Sequence, residues 1–115
     1  MQFKAEAKFI RFSPDKLRLL VALVRGKSVK QALNALAAHP MQRALPIRKM
    51  IESAVANAHY LANIEPEKLA IKEIRVDQGP SIRYFKPGAM GRAAVQKRRM
   101  SHMKVIVESV ETKEA

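Results

Sequence analysis

Apolar and polar side chains alternate over the first residues of the chain. The apolar positions are Phe3, Ala5, Ala7 and Phe9, and polar residues occupy the positions between them. A period of two is typical of a strand with one buried face. The pattern predicts a first strand that packs this face against the core.

Two segments with helical spacing follow. Ser13-Pro14 is typical of a helix N-cap followed by proline at the first helical position, and Gly26 is a natural stop. Ser28 is placed to cap a second, short helix that His39-Pro40 would end. The apolar positions are Leu17, Leu20, Val21 and Val24 in the first helix, and Val29, Leu33 and Leu36 in the second.

The spacing predicts a third and longest helix that ends at about Asn63. Its apolar stripe comprises Ile47, Ile51, Ala54, Val55, Ala58 and Leu61. Pro46 fits if the helix begins near Leu45, and otherwise it would kink the first turns.

Two further strands are predicted at residues 69–77 and 103–110, where β-branched side chains alternate with polar ones. The phase slips between Ile71 and Ile74, which predicts a bulge. Helices between the first strand and the last two indicate an α+β fold, with three helices on a small antiparallel three-stranded sheet. We expect one domain over residues 1–115.

The connection between the last two strands, residues 79–101, is long for a small domain and is therefore expected to be functional. It holds six basic and no acidic residues, together with aromatic and aliphatic side chains. Gly79-Pro80 marks its start, and Pro87-Gly88 with Gly91 marks a reversal. These signals predict an extended β-hairpin that turns at residues 86–91, with arms of roughly 30 Å at ~3.3 Å per residue.

The charge balance indicates a polyanionic partner. There are 22 Lys and Arg against 10 Asp and Glu, a formal net charge of +12. Residues 8–49 form a second basic zone whose only acid is Asp15. Arginine forks grip phosphates, and guanidinium or aromatic planes stack on unpaired bases, so RNA suits both zones.

Other classes of function find less support. The second helix offers few base-reading side chains beyond Gln31 and Asn34, which disfavours a helix-turn-helix that reads DNA. His39, His59 and His102 have no telling partners for catalysis, and His102 is expected to be a hydrogen-bonding strut or an RNA contact. A surface-bound membrane helix would need the apolar face that the core uses.

The cysteine count and the apolar runs fit a soluble protein of the cytosol or of an organelle interior. The chain has no cysteine, which excludes disulfides and thiolate metal sites. Its longest apolar run has six residues, against the ~20 that a membrane span needs.

Six short motifs, in order and over nearly the whole chain, resemble the large-subunit ribosomal protein L-twenty-two family. They are Ser13-Pro14-x-Lys16 with Arg18-Leu19, Val24-Arg25-Gly26-Lys27 with Ala32-Leu33, Glu52-Ser53-Ala54-x-Ala56-Asn57-Ala58, Val76-Asp77-x-Gly79-Pro80, Gly91-Arg92-Ala93, and Arg98-x-x-Ser101-His102. The order and spacing of the six make the resemblance specific. Gly88, Met90 and Tyr84 depart from the family's more basic hairpin.

The resemblance implies a structural protein of the large subunit and not an enzyme. It implies a hairpin over residues 79–102 that runs along ribosomal RNA of several domains, supports assembly, and helps line the nascent-peptide exit tunnel with its tip. Implied partners are this RNA, neighbouring ribosomal proteins near the tunnel exit and the nascent peptide, with no cofactor, metal, membrane or homo-oligomer. Taken with the charge pattern, the expected RNA contacts are Arg11, Lys16, Arg18, Arg25, Lys27, Arg83, Lys86, Arg92, Lys97, Arg98, Arg99, Ser101 and His102. The expected tunnel tip is Lys86, Pro87, Gly88, Ala89, Met90, Gly91 and Arg92.

Overall fold

A single antiparallel sheet and three helices make up the computed structural model, which describes residues 2–109. The strands are β1 (Gln2–Ile10), β2 (Leu69–Pro87) and β3 (Ala93–Ser109), in the order β1-β3-β2. The helices α1 (Pro14–Val24), α2 (Val29–Ala38) and α3 (Ala44–Ala62) lie between β1 and β2 in the sequence. The α+β prediction is therefore confirmed, including the number of helices and strands.

The core lies between the sheet and the helices. Helix α3 packs against β1 and β3, while α1 packs against β2. The side chains of Leu17, Ile47, Ile51, Val105 and Val107 are completely buried there. Burying a large aliphatic side chain contributes about 1.5–3 kcal/mol, so this layer supplies most of the driving force for folding.

The helix ends follow the local signals in the sequence. Pro14 is the first residue of α1, and Gly26 has a positive φ of 78° beyond its end. The Ser28 hydroxyl accepts a hydrogen bond from the Gln31 amide at 3.4 Å, whereas the Ser13 side chain makes no cap bond. Helix α3 begins at Ala44, so Pro46 lies in its first turn, where an amide has no helical partner to lose.

Two predicted core positions, Phe9 and Leu61, are exposed, and three others, Ala7, Leu33 and Val55, are only partly buried. Phe9 is 60% exposed because a bulge between Ala7 and Ile10, with a φ of 58° at Phe9, breaks the alternation. Leu61 is 71% exposed at the end of α3, and Leu33 is only partly buried. The predicted end of the last strand, Val110, lies outside the described residues.

The hairpin continues the sheet as a two-stranded ribbon. Strands β2 and β3 stay paired from Ser81↔Arg99 to Pro87↔Ala93, and the reversal is a short 3-10 turn over Ala89–Gly91. The predicted bulge lies between Ile71 and Glu73, and another separates Gln78 from Ser81. The ribbon helps give the molecule its long dimension of 72 Å, against 26 and 16 Å across.

Close backbone contact at the second bulge explains the glycine there. A Cβ atom at Gly79 would lie 3.0 Å from the carbonyl oxygen of Met100 on the paired strand. The root of the hairpin therefore favours a residue without a side chain.

Candidate nucleic-acid interface

A concave surface lies where the hairpin leaves the body, and we call it the basic pocket. Its volume is about 500 Å³. Six of its eight lining residues are cationic and none is acidic. The lining residues are Arg11, Phe12, Ser13, Lys16, Arg43, Lys97, Arg98 and Arg99. Three separate parts of the chain supply this positive charge: the β1–α1 region, the α2–α3 connection and β3.

The side chain of Ser101 fixes one wall of the basic pocket. It is completely buried, and its hydroxyl donates a hydrogen bond of 2.7 Å to the carbonyl oxygen of Phe12. This bond ties β3 to the connection that carries Arg11 and Ser13. The structure therefore gives Ser101 a structural role, and its expected contact with RNA stays a prediction.

Removing this hydroxyl tests its structural role. We expect Ser101→Ala to lower the free energy of unfolding by about 1–3 kcal/mol, because the Phe12 carbonyl would lose its hydrogen-bond partner inside the protein. Urea denaturation measures the change. Ser53→Ala, on the exposed side of α3, is the matched control and should change stability by less than about 0.5 kcal/mol. Equal effects of the two substitutions would contradict this role.

Arg18 and Arg25 lie outside the basic pocket and cover the free edge of β2. Their guanidinium groups donate to the carbonyl oxygens of Val76 at 3.1 Å and Ile74 at 3.0 Å. The Ile71 amide donates to the Lys27 carbonyl at 3.1 Å on the same edge. These contacts satisfy backbone groups that an edge strand leaves unpaired. The sequence had indicated only an RNA-binding role for the two arginines.

Like charges face each other on the ribbon. Arg83 and Lys97 are direct cross-strand partners, and both are exposed. Such side chains lie on the same face with Cβ atoms ~4.5–5.5 Å apart, and like charges in this arrangement are destabilising. Lys86 and Arg92 are exposed near the turn, so the repulsion extends along a ribbon that has no acidic residue between positions 79 and 101.

His102 holds the root of the hairpin to β1. Its Nδ1 accepts a hydrogen bond of 3.1 Å from the Phe9 amide, and the two rings meet edge to face with centroids 5.0 Å apart. This contact gives His102 a hydrogen-bonding role at the bulge that turns Phe9 outward, and its expected contact with RNA stays a prediction.

The sequence prediction of the site missed Arg43 and Phe12. Arg43 lies in the acid-poor zone of residues 8–49, and this was the only signal in the sequence that could have identified it as part of the site. Its position before α3 gave no sign that the fold would bring it beside β3. Phe12 packs partly against the core and lines the pocket, and its carbonyl oxygen accepts the hydrogen bond of Ser101.

An ion pair on β2, outside the basic pocket, shifts the pKa values of both its partners. Hydrogen bonding and charge attraction from the Arg75 guanidinium lower the pKa of Glu73 and, in return, raise that of Arg75. Both groups are exposed to solvent. Among residues 2–109, no cluster of three or more acidic or histidine side chains could hold a metal ion.

The sequence matches a known protein family over almost its whole length. Residues 5–108 match the family described as ribosomal protein L22p/L17e. The chain belongs to this family.

Similar proteins match over almost their full length. The chain is 48% identical to large ribosomal subunit protein uL22 of Desulforamulus reducens, over 93% of this chain and 95% of that protein. It is 45% identical to the uL22 protein of Desulfitobacterium hafniense strain Y51, with 98% and 97% covered. For Syntrophus aciditrophicus uL22 the identity is 46%, with 94% and 98% covered.

Membership of the L22p/L17e family gives the chain a structural role in the large ribosomal subunit. It also confirms that the protein is not an enzyme. Of the helices in residues 2–109, none has both the length and the apolar character required to span a membrane.

Proposed function

We propose that the protein binds large-subunit ribosomal RNA through the basic pocket and the hairpin, and that it supports subunit assembly. The basic pocket is the observation that carries this proposal. Cations from distant parts of the chain converge there on one concave surface, and no acidic residue lines it. Neutralising such a cluster requires several negative charges in a compact arrangement, and a folded RNA backbone supplies them.

The ribbon supports the same proposal independently. Its opposed Arg83 and Lys97 repel each other in the free chain. A polyanion along the ribbon would turn this repulsion into attraction. The expected contacts are Arg11, Lys16, Arg18, Arg25, Lys27, Arg83, Lys86, Arg92, Lys97, Arg98, Arg99, Ser101 and His102, to which we add Arg43.

The hairpin tip, residues 86–92, helps line the nascent-peptide exit tunnel in this proposal. The basis is the family resemblance together with the shape of the ribbon. Met90 is fully exposed at the far end, with a φ of 59°. Its flexible thioether side chain suits contact with varied sequences, as a passing nascent peptide would present. The body would then lie near the tunnel exit, beside neighbouring ribosomal proteins, in a cytoplasmic ribosome.

Sedimentation of a cell lysate on a density gradient tests the proposal. Fractions are probed for the protein before and after a high-salt wash. We expect the protein to migrate with the large subunit and to remain there after the wash, because a hairpin embedded in RNA is held by more than exposed ion pairs. Recovery mainly as free protein, or on chromosomal DNA, would reject the proposal.

A further inference from the structure

One face of the ribbon combines an exposed aromatic ring with two cations. Phe85 and Val95 are cross-strand partners, and the next pair on the same face toward the body is Arg83 with Lys97. Phe85 is 71% exposed and Val95 is 56% exposed. At ~3.3 Å per residue, the two pairs are roughly 7 Å apart. We call these four residues the Phe85 face.

We propose that the Phe85 face is a binding site for an unpaired nucleotide. The base stacks on the Phe85 ring beside Val95, and Arg83 and Lys97 hold a phosphate next to it. This inference rests on the proposed RNA-binding function and names the kind of RNA that one part of the ribbon recognises.

Phe85 is a large aromatic residue whose ring is exposed to solvent. Every residue from Ser81 to Val95 is exposed, so no part of the described chain covers the ring. A large apolar side chain left in water gives up the stabilisation that burial would contribute. The aliphatic Val95 beside it widens the apolar platform.

The other aromatic residue of the ribbon is already engaged. The Tyr84 hydroxyl donates a hydrogen bond of 2.9 Å to Oε1 of Gln96, its cross-strand partner on the opposite face. Tyr84 is only 37% exposed. Its role is therefore to connect the two strands, which leaves Phe85 as the aromatic surface available to a ligand.

The charges beside Phe85 select the ligand. An apolar protein partner would leave Arg83 and Lys97 facing each other without neutralisation, whereas a nucleotide presents a phosphate close to its base. In a double helix the base faces are covered by their neighbours, and only single-stranded loops, bulges and ends expose them. Base–aromatic stacking tolerates any base, so the site would recognise an unpaired base rather than a sequence.

Binding of the full-length protein to two labelled RNAs tests the proposal. One is a single-stranded adenylate oligomer and the other is a duplex of equal length, and fluorescence anisotropy is measured over a series of salt concentrations. We expect Phe85→Ala to weaken binding of the single strand roughly five- to a hundredfold, the range that stacking of one base contributes. Its salt dependence should stay unchanged, and duplex binding should change less than twofold.

Matched variants separate stacking from other contacts. Phe85→Tyr should restore binding of the single strand because it restores the ring. Phe85→Leu should not, although it keeps an apolar side chain. Arg83→Gln should instead reduce the salt dependence, by about 0.7 in the log–log slope for one phosphate on a single strand. Circular dichroism of each variant checks that the fold is intact.

The outcomes also separate this inference from the proposed function. If Phe85→Leu binds the single strand like the original protein, or if Phe85→Ala weakens both RNAs equally, the stacking site is rejected. The proposed function stands in that case if the protein still migrates with the large subunit. Failure of the unmodified protein both to bind RNA and to migrate with the subunit would overturn both proposals.

Discussion

Reversing two charges of the basic pocket, with Arg98→Glu and Arg99→Glu together, is expected to lower RNA affinity at least a hundredfold. Each phosphate contact releases counterions and contributes a factor of roughly ten to the binding constant at ~0.1 M salt. The loss of two contacts should also reduce the log–log dependence of affinity on salt by about two units. Fluorescence anisotropy with a fragment of large-subunit ribosomal RNA measures both quantities.

A control of equal charge is available at the other end of the sheet. Lys68 directly precedes β2 and Lys72 lies among its first residues, and both are exposed, away from the hairpin. Their replacement by Glu lowers the net charge by the same amount as the pocket variant. This control should retain most of the affinity and the full salt dependence. An unchanged slope in the pocket variant would place the phosphate contacts elsewhere, and equal losses in both would show that net charge alone drives binding.

The sequence was sufficient to predict those parts of the candidate site whose residues lie in one continuous segment of the chain. The hairpin could be recognised because its cations lie within one segment that excludes acidic residues and has turn signals at both its root and its tip. Ribbon geometry then follows from strand pairing alone. The basic pocket could not be assembled in this way. Arg43 lines the same pocket as Arg98 and Arg99 because α3, which follows it, packs on β1 and β3, and no local pattern encodes such long-range packing.

The prediction of the fold succeeded where local signals agree and failed where tertiary contacts override them. Helix ends at Gly26 and Asn63 follow from backbone conformation, with left-handed φ values at both residues. The alternation along β1 correctly predicted that Phe3 and Ala5 are buried, but it could not reveal the bulge before Ile10. At that bulge the Phe9 amide donates a hydrogen bond to the ring of His102, which is far away in the sequence.

The edge of β2 shows that basic residues can stabilise the fold itself. Arg18 and Arg25 each use part of the guanidinium group to satisfy a carbonyl of the edge strand, and both residues remain exposed. Each guanidinium has five N–H donors, so further N–H groups are left that could donate hydrogen bonds to a phosphate. These two arginines therefore stabilise the fold before any partner binds. A count of basic residues in the sequence does not separate this structural role from a role in binding.

Replacing Ile51 with Ala should cause the largest loss of stability among the substitutions considered. Ile51 is completely buried in α3, where the helix packs on β1 and β3. We expect the free energy of unfolding to fall by about 2–5 kcal/mol, since the substitution removes buried methyl groups and leaves a cavity. A domain of this kind has a total stability of about 5–15 kcal/mol, so the loss would be readily measured by urea denaturation.

Leu61→Ala is the matched control, because it removes the same number of carbon atoms from the same helix. The sequence placed both residues on one apolar stripe, whereas the structure buries Ile51 and leaves Leu61 71% exposed. We therefore expect Leu61→Ala to change stability by less than about 0.5 kcal/mol. Similar losses for both variants would contradict the orientation of α3. Because α3 follows directly on Arg43, a different orientation would also move this cation away from the basic pocket, so the stability experiment tests the geometry on which the proposed RNA binding rests.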